Sequence, residues 1–262
     1  MDINKIIQSK GKSKLVMLTA YDFISAKILS EASVDIILVG DSLGNVILGY
    51  PNTIPVTMEE MLIHVAAVRR GAPKAFVVAD MPFLSYQCGV DKAVENAGSF
   101  LKVGANAVKI EGGIEVANII KKIVDFGIPV MGHLGLTPQY VNQIGGYKVQ
   151  GGSKKSKEKL LRDAIALQEA GVFSIVLELI VEETSKEITN AVKIPTIGIG
   201  SGRFCDGQVI VLHDLLGLIP SFKPKFVKRY ANLFEVSKKA VTEFIEDVKN
   251  GAFPSDENVF HI

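Results

Sequence analysis

The sequence predicts an α/β protein built as a (β/α)8 TIM-type barrel, a single domain over residues 1–262 with extra C-terminal helices. Three observations lead there. Short β-branched runs recur eight times, the stretches between them read as helices closed by glycine, and the runs are continuously apolar rather than alternating. Continuous runs are what a parallel sheet requires, because helices cover it and both faces of each strand are buried. A chain of 262 residues, 48% hydrophobic and 22% charged, supplies one full-sized core.

The first strand is expected at 14–19 (KLVMLT), followed by a helix near 23–32 and a second strand at 36–40 (IILVG). Thr57 and Glu60 form a capping box ahead of MLIHVAAVRR, so a helix is predicted over 57–70, with Gly71 and Pro73 as its stop. A third strand at 75–79 (AFVVA), a helix at 91–103, a fourth strand at 106–110 (NAVKI) and a helix at 114–126 come next. The fifth strand is 129–133 (PVMGH), the next helix 157–170 and the sixth strand 174–178 (SIVLE). Gly104, Gly127 and Gly171 stand just beyond their helices as C-terminal stops do. After a helix at 182–191, the seventh strand (195–199, PTIGI) and the eighth (208–212, QVIVL) are so close that one barrel helix is expected to be missing or reduced. Residues 225–249 read as a longer helical region ending at Gly251. A doubly wound open sheet has the same local pattern; the count of eight and the chain length favour closure.

Twenty-nine basic residues against 28 acidic ones leave a formal charge of +1, so no overall field draws nucleic acid or an anionic membrane. No apolar run reaches the length of a membrane span, and the start, MDINKIIQSKGKSKLVML, lacks the pattern of a secretion signal; a cytoplasmic location is expected. Cys88 and Cys205 are far apart and in no CxxC pattern, which argues against a disulfide framework and against structural zinc.

Barrel enzymes carry their chemistry at the C-terminal ends of the strands. Here those ends are acidic: the second run finishes in Gly40-Asp41-Ser42, the third in Asp80, the fourth in Lys109-Ile110-Glu111, the fifth in His133 and the sixth in Glu178. Taken singly, Asp41 or Asp80 equally reads as a cap for the following turn. Four carboxylates on four strand ends are a stronger signal, because crowded acids repel one another and are stable mainly around a cation. Oxygen donors without cysteine indicate Mg²⁺ or Mn²⁺ rather than zinc. Lys109 is a carboxylate or phosphate binder, a Schiff-base nucleophile, or an ion-pair partner of a neighbouring acid. His133 is either a satisfied core histidine or a strand-end group able to take a proton. His64, His213 and His261 have no such company and read as structural or surface residues. The glycines of Gly198-Ile199-Gly200-Ser201-Gly202 suit phosphate binding after a seventh strand, or simply a close backbone approach. The basic stretch at 151–159 (GGSKKSKEK) reads as a solvated, mobile loop.

In order along the chain stand TAYDFISAK (19–27), VGDSLGNVILGY (39–50), ADMPF (79–83), VKIEGG (108–113), GHLGLTPQ (132–139), GGYKVQG (145–151), LE (177–178) and IGIGSGRFCDGQVIVLHDLLG (197–217). Together they resemble the ketopantoate hydroxymethyltransferase family from about residue 14 to the tail. The resemblance implies transfer of a one-carbon unit from 5,10-methylenetetrahydrofolate to the keto acid 3-methyl-2-oxobutanoate, giving 2-dehydropantoate for pantothenate and coenzyme A. It implies a Mg²⁺ site at Asp41, Asp80 and Glu111, with Asp41, Asp80, Ser42 and Lys109 at the keto acid and Glu178 as general base. It also implies a large homo-oligomer, typically a decamer, with C-terminal helices exchanged between subunits. Ser201 departs from the family, where alanine is common, and the Lys-rich 152–157 loop is variable. The implied chemistry suits the residue types: a metal and Lys109 stabilise an enolate, and a carboxylate on another strand removes the C3 proton. A lyase or phosphonomutase-like barrel would use the same logic but would usually carry a KxxCG-type cysteine loop, which this sequence lacks. A non-catalytic barrel is disfavoured by the strand-end acids.

Overall fold

The computed structural model describes residues 1–221 and 223–262, and the chain divides into two compact units, Met1–Val211 and Leu212–Ile262. The first is a closed barrel of eight parallel strands: β1 (Leu15–Thr19), β2 (Ile36–Val39), β3 (Phe76–Asp80), β4 (Ala107–Glu111), β5 (Val130–Gly135), β6 (Ser174–Glu178), β7 (Thr196–Ile199) and β8 (Gly207–Ile210). Each strand pairs with its neighbour in sequence, and β1 closes on β8 with Leu15 opposite Gly207. Gly207 is required there, since a side chain would run into the Leu15 backbone carbonyl.

Alternate residues point into the barrel. Met17, Ile36, Leu38, Phe76, Val78, Ala107, Met131, Val176, Ile197 and Val209 form its interior, and Phe173, just before β6, and Ile6 of the N-terminal helix Ile3–Gln8 join them. Phe76 and Phe173 meet edge to face with ring centroids 5.9 Å apart. The intervening residues, such as Ile37 and Val77, are buried on the other face, which is why the runs read as continuously apolar. Burying a side chain of this size contributes about 1.5–3 kcal/mol.

The expected helices appear at Phe23–Glu31, Met58–Gly71, Val90–Lys102, Ala117–Asp125, Lys154–Glu169 and Glu182–Ala191. Thr57 and Glu60 form the capping box in full. Gly71 is the last residue of its helix rather than a left-handed stop beyond it, and its role is packing: a Cβ there would strike the Phe23 carbonyl of the neighbouring helix. Gly104, Gly127 and Gly171 do take positive φ beyond their helices. Among the described residues no helix lies between β7 and β8. Part of the basic stretch at 151–159 is helix rather than loop: Ser153 caps Lys154–Glu169 by accepting from the Ser156 N–H, so that helix starts three residues before the expected 157.

In the second unit, a short helix Leu212–Leu216 precedes the helix Leu233–Asn250, which ends on Gly251 at φ 73°. Helix was expected from 225, but residues 225–232 fold back: the Tyr230 N–H bonds to Leu215 O, and Arg229 Nη2 donates to Ile219 O at 2.6 Å. Leu233–Asn250 leaves Val241, Phe244, Ile245 and Val248 exposed. Among the described residues no helix is long and apolar enough to cross a membrane.

Candidate active site

The strand ends predicted to be acidic all meet at the C-terminal mouth of the barrel. Asp41 follows β2 after one intervening residue, Gly40, and its backbone N–H donates to Oδ2 of Asp80, the last residue of β3, at 3.1 Å. Gly40 permits this closeness, since a Cβ there would stand 2.7 Å from Ser42 Oγ and 3.4 Å from Asp80 Oδ2. Ser42 Oγ lies 2.8 Å from the Tyr21 hydroxyl. Asp80 is in register with Lys109 on β4, and the ammonium sits 3.2 Å from Asp80 Oδ1 and 3.0 Å from His133 Nδ1. Glu111 is in register with His133 on β5, its Oε1 3.4 Å from the same ring nitrogen. On β6, Glu178 places Oε2 3.2 Å from His133 Nε2.

Asp41, Asp80, Lys109, Glu111 and His133 are all buried to 5% exposure or less, whereas the Glu178 side chain keeps 19%. Removing charges from water costs several kcal/mol each, so such a cluster survives only by mutual compensation. Carboxylates outnumber the lysine in this cluster. The imbalance shows in the titrations: burial, then the charges of Asp80 and Glu111, hold the Asp41 carboxyl well above the usual range. Burial also raises Asp80, against the pull of Lys109. Lys109 is driven upward because Asp80, Glu111 and Asp41 together outweigh its own burial. Burial and Lys109 would lower His133, but the carboxylates of Glu111 and Glu178, 3.4 Å and 3.2 Å from its ring nitrogens, prevail and raise it to about 9. The ring nitrogen Nδ1 thus faces a cation and an anion at once: deprotonated it accepts from Lys109, and protonated the ring is held between two carboxylates.

Could these residues hold a metal? Among the described residues no three His, Cys, Asp or Glu side chains form a ready-made cage. A magnesium ion needs less, being usually bound by one or two carboxylates with water and substrate oxygens completing its shell. Asp41 and Asp80 meet that requirement. Both are buried oxygen donors on adjacent strands, and Asp80 Oδ1 has no hydrogen-bond partner although Lys109 is close. Glu111 is more committed, its Oε2 accepting the Gln139 backbone N–H at 3.0 Å.

Three site residues escaped sequence reasoning. Tyr21 reaches Ser42, Gln139 donates to Asp41 from 98 positions away, and the Tyr86 hydroxyl bonds both Gln139 and the Glu111 carbonyl. Burial, then the charge of Glu111, keeps the Tyr86 phenol protonated. The glycine-rich stretch at the end of β7 passes close to neighbouring side chains: a Cβ on Gly202 would run into Glu182 Oε2, and one on Gly198 would stand 3.0 Å from Cys205 Sγ. Ser201 donates to Leu177 O at 2.7 Å and accepts the Ile180 N–H at 3.1 Å, spanning Leu179, which holds a left-handed φ of 46° directly after Glu178. A non-glycine residue in that region is strained, and here the strain sits beside the site. His64 bonds the Tyr21 carbonyl, a structural role. At the opposite, N-terminal end of the barrel, a cleft of about 440 Å³ includes Lys10, but that lysine is committed to Asp206 and to Thr189 O.

Fold and site together define a TIM-barrel protein with its polar cluster at the C-terminal strand ends. Solved structures share the fold: a 2,3-dimethylmalate lyase described as a PEP mutase/isocitrate lyase superfamily member has a TM-score of 0.62 at 15% identity, covering 97% of this chain and 89% of that one. A phosphonopyruvate hydrolase, solved with oxalate and Mg++, has a TM-score of 0.60 at 15% identity, covering 98% and 93%. Sequence comparison is more specific. The family model described as ketopantoate hydroxymethyltransferase matches residues 1–256. Proteins named 3-methyl-2-oxobutanoate hydroxymethyltransferase from Thermotoga neapolitana and Thermotoga maritima are 68% and 67% identical over 260 residues, covering 99% of this chain and 96% of each relative. The chain belongs to the ketopantoate hydroxymethyltransferase family.

Proposed function

We propose that this protein transfers a hydroxymethyl group from 5,10-methylenetetrahydrofolate to 3-methyl-2-oxobutanoate, giving 2-dehydropantoate in pantothenate synthesis. The relatives' names support the acceptor and the group transferred. The observation that carries the mechanism is the division of the site into a buried acid–lysine cluster and one partly exposed carboxylate on another strand.

In this reading Asp41 and Asp80 hold Mg²⁺, one ion per subunit, with Glu111 at the third acidic position. When bound, the ion supplies Lewis-acid polarisation of the 2-oxo group. Lys109, kept charged by Asp80, stabilises negative charge on the oxygen of the keto acid as it develops. Ser42, held by Tyr21, orients the acid end of the substrate. Glu178 takes the proton from C3, and the electron pair of the broken C–H bond moves toward the carbonyl. That carbon then bonds to the folate methylene, and water supplies the hydroxyl oxygen as tetrahydrofolate leaves. Glu178 suits the base because its carboxylate is set apart from Asp41 and Asp80 and retains access to the mouth of the site.

The apolar face of Leu233–Asn250 supports a homo-oligomer, decameric by the family resemblance, since exposed valine, phenylalanine and isoleucine on one helix favour a protein partner. A biosynthetic reaction on small soluble substrates favours the cytoplasm. The direct test is mass spectrometry of a mixture of protein, Mg²⁺, methylenetetrahydrofolate and the keto acid. A 2-dehydropantoate signal that needs every component is expected; its absence overturns the assignment.

A further inference from the structure

Gln139 lies on one turn of 3-10 helix, Pro138–Tyr140, in the loop that follows β5, away from the strand ends that carry Asp41 and Asp80. It nevertheless ties three of those ends together. Its side-chain Nε2 donates to Asp41 Oδ2 at 2.9 Å and to the Met81 carbonyl at 2.9 Å, while its backbone N–H donates to Glu111 Oε2 at 3.0 Å. Its Oε1 accepts from the Tyr86 hydroxyl at 3.0 Å, and that hydroxyl also reaches the Glu111 carbonyl at 2.9 Å. Gln139 is 3% exposed and Tyr86 is fully buried, so neither is a surface contact that water could replace.

The chemistry fixes the orientation of the amide. Turned over, Gln139 would press its oxygen against the Met81 carbonyl, which only accepts, and lose the acceptor that faces the Tyr86 hydroxyl, so the observed rotamer is the one that pairs both ends of the amide. The consequence falls on Asp41. Its Oδ2 accepts from the amide, which restrains rotation of the carboxylate and leaves Oδ1 outside that bond. Because the same residue holds Glu111 through its backbone, one short turn sets the spacing between two acids whose charges repel.

We infer that Gln139, anchored by Tyr86, is a positioning residue for the cation site, holding Asp41 and Glu111 in place against their mutual repulsion. The inference rests on the reading that Asp41 and Asp80 hold a divalent ion. Groups that orient metal ligands typically change affinity by about 10–100-fold when removed.

The test titrates Mn²⁺, followed by its paramagnetic resonance signal, into the full-length protein with neither organic substrate present. Binding by the wild type and its loss in Asp41→Asn establish the site itself. Gln139→Met, similar in length but without a donor, should bind Mn²⁺ about 10–100-fold more weakly and give a broadened bound spectrum while still unfolding cooperatively. Tyr86→Phe keeps the ring and removes only the hydroxyl, and should weaken binding in the same direction by a smaller factor. Wild-type affinity in Gln139→Met overturns the inference; if that variant does not fold, wild-type affinity in Tyr86→Phe overturns it. A wild-type protein that takes up no Mn²⁺ sinks the cation site and this inference with it, a result distinct from failure in the variants alone.

Discussion

His133 Nε2 lies 3.2 Å from Glu178 Oε2, a contact set by strand register: Glu178 pairs with Gly135, two residues beyond His133 on the same face of β5. The imidazole, which the sequence left open between a core histidine and a proton acceptor, thereby joins the buried cluster to the proposed base.

Isotope exchange separates the base from its neighbours, because removal of the C3 proton needs no folate. With Mg²⁺ present and folate omitted, the wild-type protein should exchange deuterium into C3 of 3-methyl-2-oxobutanoate. Glu178→Gln should still bind the acid but exchange it about 10²–10⁴-fold more slowly. Exchange at the wild-type rate would falsify the assignment of Glu178, and His133 would be the next base to test.

Metal binding should strengthen as pH rises. Without a metal the site favours protons, since burial and neighbouring acids raise Asp41 well above its ordinary value, burial raises Asp80, and His133 stands at about 9. A divalent ion replaces that positive charge and expels protons, so affinity increases as pH climbs toward 9. Calorimetry in buffers of different ionisation enthalpy should show proton release near pH 7. Proton uptake, or no buffer dependence, would mean that the metal-free site does not hold those protons.

Removal of the metal should silence the reaction. Excess EDTA is expected to abolish 2-dehydropantoate formation and added Mg²⁺ to restore it, while Asp80→Ala weakens metal-dependent binding of the keto acid. Full turnover in EDTA would rule out a catalytic metal.

Gly135→Ala should damage fold and site together. Gly135 has φ 99°, and a Cβ there would meet the Glu178 carbonyl and the Ile180 side chain. A loss of at least about 1–3 kcal/mol is expected from the backbone alone, read as a lower denaturation midpoint with lower activity. A variant as stable and active as the wild type would mean that β5 and β6 separate easily at this point.

Charge on the apolar face of Leu233–Asn250 should dissociate the proposed homo-oligomer. Phe244→Glu combined with Ile245→Glu, both at exposed positions, is expected to sediment as smaller species than the wild type. Unchanged sedimentation would move the subunit interface elsewhere.

Much of the barrel was legible in the sequence because the signals are local. Continuous β-branched runs mark buried parallel strands, and all eight appear within two residues of their expected ends, with β5 running on to Gly135. The capping box at Thr57 and the left-handed glycines at 104, 127 and 171 likewise depend on neighbouring residues alone. Misjudgements arose where distant backbone intervened. Gly71 looked like a stop, yet it exists for the approach of Phe23, and residues 225–232 had helical composition but pair instead with the segment around Leu215 and Ile219.

The sequence by itself determined which acids, lysine and histidine stand at strand ends, because barrel topology sends every such end to one mouth. It also determined the family, through ordered motifs along the whole chain. Only the tertiary structure decided how those groups divide. Closure set Asp80 beside Lys109, placed His133 between Glu111 and Glu178, and brought Gln139 to Asp41 across 98 residues. Hydrogen bonds of a few ångströms depend on the register of neighbouring strands and on the path of a loop, and neither is written in the identity or spacing of the residues that make them.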